Sequence, residues 1–137
     1  MLPDKTELRA EMESLAERIR EYEGEVTLLQ TRSTSPDWEQ EVIGRFNRQR
    51  DEEYDELTEG AVRLVIELDR ESRASKFTFA ELEENEEGLE SLRRWLAQVS
   101  ARDFFGAQGR PAAEKALAQT TARLQEFARQ VNEREER

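Results

Sequence analysis

In the last part of the chain, Ala113, Leu117, Thr120, Leu124, Phe127 and Val131 recur at intervals of 4, 3, 4, 3 and 4 residues. That rhythm places all six on one face of an α-helix and on no single face of a strand. A chain built this way must lay the stripe against another element, and its upstream neighbour supplies one. Leu82, Leu89, Leu92, Trp95, Leu96 and Val99 form a second stripe. Its entry is marked twice: Thr78 and Glu81 make a capping box, and Phe77 and Leu82 stand at the two ends of a hydrophobic staple. The acidic run Glu81–Glu90 precedes Arg93 and Arg94, so the charges follow the helix dipole. Only a short link around Asp103-Phe104-Phe105-Gly106 separates this helix from the one beginning near Pro111. The pair predicts an antiparallel helical hairpin over residues 77–134. Asn132 to Arg137 reads as a charged tail expected to fray.

Upstream, Leu8, Met12, Leu15, Ile19 and Tyr22, spaced 4, 3, 4 and 3, predict a first helix. Asp4 is its expected N-cap with Glu7 as capping-box partner. Gly24 is its expected stop, through the left-handed conformation at C′. Glu25-Val26-Thr27-Leu28-Leu29 is the one strand candidate. A lone strand makes no sheet, so it pairs with another segment, pairs with another chain, or is no strand. Ser35 and Pro36 then read as N-cap and first residue of a second helix. Its stripe runs through Trp38, Val42, Phe46, Tyr54, Leu57, Ala61, Leu64, Val65 and Leu68, weakening over Asn47–Glu53. Gly44 and Gly60 each cost about 1 kcal/mol relative to alanine, so a break is one expectation. The other is an unbroken helix of roughly 55 Å over residues 36–72. Such a helix exceeds the roughly 14 Å radius of gyration of a compact domain this size, so it bends, projects, or is sheathed by a partner chain.

Composition decides whether these stripes belong to a folded protein. Leu, Ile, Val and Phe total 29 of 137 residues, just above the roughly 20% below which charged chains tend to disorder. Ala, Glu, Lys, Leu and Arg total 75, and that share, when periodic, goes with long helices. The expected fold class is mainly α: a long-helix antiparallel bundle or hairpin with one N-terminal helix and a short strand. The expected organisation is a single domain over 1–137, made of a helix–strand segment (1–30), a long helix (35–73) and the hairpin (77–134).

The chain has no His and no Cys. A Ser-His-Asp triad, a Cys nucleophile and a Cys/His zinc site therefore cannot be built. No disulfide contributes either, and a reducing compartment is acceptable. No apolar run reaches the roughly 18–20 residues of a membrane span, and the acidic start is unlike a signal peptide. The expectation is a cytoplasmic protein without membrane attachment, cofactor, metal or enzymatic activity.

Paired acids such as Glu52/Glu56 and Glu83/Glu87 read first as solvated helix faces, since di-metal bundles use a Glu-x-x-His motif. Arginine outnumbers lysine 18 to 3. Most guanidinium groups are expected to pair with glutamates along helix faces. Two denser clusters, Arg45, Arg48 and Arg50 and then Arg93, Arg94 and Arg102, are candidates for a small tetrahedral oxyanion. Nucleic acid is opposed by a net charge of −11, because every phosphate contact works against the field of the whole surface. Trp38, Trp95, Phe104 and Phe105 are core side chains or contact anchors; the adjacent phenylalanines cannot both point the same way.

The stretches Phe77-Thr78-Phe79-Ala80-Glu81-Leu82-Glu83-Glu84-Asn85-Glu86-Glu87, Leu92-Arg93-Arg94-Trp95-Leu96 and Ala101-Arg102-Asp103-Phe104-Phe105-Gly106-Ala107 resemble the amino-terminal region of the chromate-resistance regulator family, ChrB. Arg45-Phe46-Asn47-Arg48, Arg50-Asp51-Glu52-Glu53-Tyr54 and the opening Leu2-Pro3-Asp4 resemble it too, so the match spans nearly the whole chain. The resemblance implies a preceding ferredoxin-like module similar to that of PaaX-type repressors, and a separate carboxy-terminal domain in full-length members. On that reading the strand at 25–29 is a remnant and the chain is truncated at its own N-terminus. The resemblance also implies chromate-responsive regulation of an efflux operon; it supplies no functional residues. Bereft of its sheet, the remnant strand offers an open edge for pairing, which together with the long second helix predicts a homodimer. The expected role is a regulatory interaction module anchored by Trp38, Trp95, Phe104 and Phe105. The alternative is a chromate or sulfate sensor built on the two arginine clusters.

Overall fold

A stripe repeating at 4 and 3 residues must meet its like, and the helices of this protein are arranged to let it. The computed structural model describes residues 2–137. Among them are four helices: α1 (Thr6–Glu21), α2 (Pro36–Arg73), α3 (Phe79–Ala101) and α4 (Arg110–Glu135). The chain divides into two compact units, one ending at Glu41 and the other running Val42–Arg137. No described helix is long and apolar enough to cross a membrane.

In the first unit α1 turns Ala16 inward as its one buried residue, with Leu8, Met12 and Ile19 half-buried. Leu15 and Tyr22, both expected on the stripe, are exposed at 43% and 86%. Asp4 does not cap the helix: Lys5 is the N-cap and makes no side-chain cap bond. Asp4 instead accepts from Arg9 Nη2 at 2.7 Å and from Gln30 Nε2 at 2.6 Å, and the nearby guanidinium holds its carboxyl below the ordinary range.

The helix stop also differs from expectation by one residue. Glu23, not Gly24, carries the left-handed backbone (φ 59°). The Gly24 N–H then donates to Ile19 O at 2.9 Å and the Glu23 N–H to Arg20 O at 3.0 Å, the paired bonds of a Schellman ending. Gly24 is required for a different reason: a Cβ there would stand 2.6 Å from Ile19 Cγ2.

The expected strand at 25–29 is absent, and no strand occurs among the described residues. A strand exists only as one side of a hydrogen-bonded ladder, and no second strand is there to supply the other side. Val26 is half-buried while Leu28 and Leu29 are both exposed, so the strict alternation of a half-buried strand is missing as well.

In the second unit, α2 from Val42 onward, α3 and α4 share one apolar seam. One end joins Leu68, Phe77, Leu82, Leu89, Leu117, Leu124, Phe127 and Val131. The other gathers Tyr54, Leu57, Val99, Ala107 and Ala113, with Trp95 packed against them. Every residue of the α4 stripe is buried. Each large side chain fully withdrawn from water contributes about 1.5–3 kcal/mol.

Helix α2 is unbroken through the polar stretch at 47–53. Arg50, 6% exposed, fills the gap in the stripe. Read with it, the seam of α2 is Arg50, Tyr54, Leu57, Ala61, Leu64, Leu68 and Glu71, spaced 4, 3, 4, 3, 4 and 3. The position skipped in the α3 stripe is taken by Asn85, 3% exposed.

The α2–α3 elbow is closed from both sides. Ser75 adopts φ 56°, and Lys76 N–H donates to Glu71 O at 2.9 Å while Ser75 N–H donates to Ser72 O at 3.1 Å. Thr78 caps α3 as expected, its hydroxyl accepting from Glu81 N–H at 3.3 Å. Phe77 packs on Phe127 with ring centroids 5.2 Å apart. The Arg134 guanidinium lies 4.1 Å over the Phe77 ring and donates to Ser75 O at 2.9 Å. These contacts carry α4 to Glu135, into the stretch read from sequence as a fraying tail.

Left-handed backbone costs an L-residue about 1–2 kcal/mol, part of which glycine returns as chain entropy on unfolding. Replacing Ser75 with glycine should therefore raise stability by about 0.5–1 kcal/mol in urea denaturation.

Candidate functional site

A polar network lies where the α3–α4 link crosses α2, and it is assembled from the segments Arg45–Tyr54 and Ala101–Gly109. Helix α4 has glycine at its N-cap, Gly109, and so has no capping side chain of its own. Asp51 on α2 supplies the cap from across the fold, its Oδ1 accepting from Gly109 N–H at 2.7 Å. A carboxylate there also meets the positive end of the α4 dipole. One turn on, the buried Tyr54 hydroxyl donates to Asp103 Oδ2 at 3.0 Å, and Asp103 Oδ1 accepts from Ala107 N–H at 2.8 Å. Burial pushes the Tyr54 phenol above its ordinary range. Phe105 meets Phe46 edge to face, centroids 5.6 Å apart and planes at 72°.

Beside this latch, Glu53 serves two arginines. It accepts from Arg102 Nη2 through Oε1 at 3.1 Å. Its Oε2 lies 2.6 Å from Arg50 Nε, close enough for an ion pair but not aligned as a hydrogen bond. The Arg50 side chain is 7% exposed and that of Arg102 47%. A buried guanidinium is tolerated only with such a counter-charge, and removing Glu53 would leave Arg50 uncompensated.

The six candidate arginines therefore fall in different places. Arg50 and Arg102, one from each cluster, are brought together around Glu53. Arg45 and Arg48 are exposed on α2. Arg93 donates to Thr121 Oγ1 on α4 at 3.0 Å, and stands about 14 Å along α3 from Arg102 by helix rise. Arg94 is exposed. Of the aromatic candidates, Trp95 is half-buried against the Tyr54–Val99 end of the seam. Phe104 and Phe105 are half-buried in the link, and Trp38 is 44% exposed within the first unit.

At the opposite end of the seam is a second polar cluster. Glu71, 4% exposed, accepts from Asn85 Nδ2 at 2.9 Å, and the same amide reaches Glu81 O at 2.6 Å. Burial, and then the neighbouring Glu81 carboxyl, push Glu71 up to about 7. Sequence reading names Arg50 as a candidate anion ligand but not as a seam residue, and it misses Glu71 and Asn85. The signal that finds them is the 4-and-3 spacing itself, continued through positions whose side chains are polar. Asp51 and Asp103 leave no such local trace, because their partners are set by tertiary packing. No group of three or more described carboxylates is placed to hold a metal ion.

The latch depends on close approach at Gly109. A Cβ there would stand 2.9 Å from Tyr54 Cβ and 3.2 Å from Asp51 Oδ1, and neither neighbour is a loose side-chain end. Gly109→Ala should cost about 1–3 kcal/mol in thermal or urea unfolding. Gly88→Ala is the control: its Cβ would meet Leu64 Cδ1 at an ordinary 3.5 Å, so the helix gains about 0.5–1 kcal/mol.

The latch thus uses much of the sequence on which the ChrB resemblance rests: Arg50 to Tyr54 on one side, Ala101 to Ala107 on the other. The family model describing the amino-terminal region of protein ChrB matches residues 1–137, the whole chain. No curated protein and no solved structure matches it. On that match over its full length, the chain belongs to the ChrB amino-terminal family.

Proposed function

We propose that this chain is a non-enzymatic helical module of chromate-resistance regulation that works by contact with other protein chains, its own copy first among them. The observation that carries this reading is the fate of the two arginines drawn from separate clusters. Arg50 and Arg102 both engage Glu53, and with Asp51, Tyr54 and Asp103 they tie the α3–α4 link to α2. The family's characteristic residues are thereby given to holding a scaffold. Part of what the scaffold leaves outside is apolar: Val62 and Ile66, exposed at 50% and 61%, stand one turn apart on α2, and Trp38 and Phe79 are also half in water. Exposed apolar side chains grouped on a helix favour a contact surface.

A net charge of −11 opposes the approach of a second copy. Added salt screens that repulsion and leaves apolar contact intact. Light scattering at tens of micromolar should therefore show a dimer that tightens as salt is raised. A monomer at every salt concentration would remove self-association from the reading.

A second reading, oxyanion sensing, keeps one supporting observation: Arg45 and Arg48 are exposed on α2 at i, i+3 spacing. It separates from the first by titration with sulfate and with chromate. A ligand present at about 100 times its dissociation constant should stabilise the fold by about 2.7 kcal/mol, visible as a thermal shift. An unchanged melting temperature in millimolar anion would retire it.

A further inference from the structure

Helix α2 carries a second stripe at the same rhythm as its seam. Asp55, Glu59, Val62, Ile66, Asp69 and Arg73 recur at intervals of 4, 3, 4, 3 and 4 residues. At about 100° of rotation per residue, their mean direction lies roughly 150° away from the buried stripe that runs from Arg50 to Glu71. The molecule's own seam therefore leaves them outside. Val62 and Ile66 are exposed at 50% and 61%, and Asp55, Glu59 and Arg73 are exposed beside them. Asp69 is half-buried, and its Oδ1 accepts from Arg123 Nε at 2.8 Å.

The order of charge along this face selects its occupant. Acids come first, two apolar side chains stand in the middle, and a base ends the stripe. Such an order is complementary to itself only when reversed. Antiparallel pairing about a two-fold axis level with Leu64 sets Val62 on the partner's Ile66 and Asp55 on the partner's Arg73. The overlap from Asp55 to Arg73 lies wholly within α2 and spans about 27 Å.

Glu59 comes level with the partner's Asp69, but the two project to opposite flanks. Arg70 follows Glu59 by eleven positions, so both point within about 20° of each other, whereas Asp69 points about 80° away. A two-fold axis brings like flanks together, which places Arg70 beside the partner's Glu59 and leaves Asp69 to Arg123. The ion pairs Glu59–Arg63 and Glu67–Arg70 within one chain are exposed on α2, so sharing these groups costs little. Other arrangements fail. Parallel pairing sets Asp55 on Asp55 and Arg73 on Arg73, and an antiparallel slip of one heptad sets Ile66 against Asp55 or Asp69.

Building on the self-association reading above, we propose that α2 packs antiparallel on α2 of a second copy through this face. Val62 and Ile66 form its centre, and Asp55–Arg73 pairs close both ends. The ion pairs fix register, while the net charge of −11 on each copy still governs the response to salt. That repulsion is long-range and easily screened, whereas pairs closed within a contact are screened less.

The test is a charge swap, read by sedimentation equilibrium over a wide micromolar range at fixed salt. Arg73→Glu sets carboxylates together at both ends of the pair and should raise the dimer Kd about tenfold. Adding Asp55→Arg to it restores opposite charges and should return Kd to within about threefold of wild type. Lys115→Glu, exposed on α4, alters net charge as much as Arg73→Glu does, and should raise Kd less than about threefold. Ile66→Glu should raise it at least about a hundredfold. All four positions are exposed, so circular dichroism and melting temperature should stay near wild type. A wild-type monomer at every concentration and salt overturns this face together with self-association. A wild-type dimer indifferent to Ile66→Glu, or weakened by Arg73→Glu without rescue by the swap, overturns this face alone.

Discussion

The second unit rests on one constraint: three helices must keep their 4-and-3 stripes in register along a single narrow seam. The apolar side chains are few for a chain this charged, so every Leu, Phe and Val along α4 is committed inward. The seam is bounded at one end by Arg50 with Glu53 and at the other by Glu71 with Asn85. Polar residues at such positions stabilise less than leucine would, but they tolerate few alternative partners. Sliding α2 by one turn would strand an arginine and a glutamate in apolar surroundings, which is how buried polar positions select register in coiled coils.

Much of this was legible beforehand. The α4 stripe, the Thr78 cap and the Phe77–Leu82 staple were read from spacing and residue type alone, because each is a local matter settled within a few residues. The strand expected at 25–29 is absent since β-branched residues report a preference, while a ladder needs a partner that local sequence does not reveal. Asp4 found a stronger attachment in Arg9, and the backbone reversal came one residue early, at Glu23. The polar stretch at 47–53 suggested a break because hydropathy treats arginine as surface. A guanidinium with a long apolar stem and a counter-charge nearby satisfies a seam position as well.

The candidate site was less legible than the fold. Sequence grouped the arginines by proximity along the chain, whereas the structure groups them by face, uniting Arg50 with Arg102 and sending Arg93 towards α4. Two arginines on one carboxylate make a compact cluster with a local excess of positive charge in a chain that is strongly acidic overall. The family relationship and the geometry therefore bear on the same residues, those joining the α3–α4 link to α2.

One feature of that link reaches into how the chain comes to be folded. The head of α4 is capped by Asp51, 58 residues earlier in the chain. A hairpin of α3 and α4 forming by itself would have its second arm begin with open backbone donors at Gly109. Only with α2 helical and packed around Asp51 does that start gain its cap, worth about 1 kcal/mol. During synthesis Asp51 leaves the ribosome before Gly109, so the capping carboxylate is available by the time the last helix emerges. The order of emergence from N- to C-terminus is thus the order in which the parts become useful to one another.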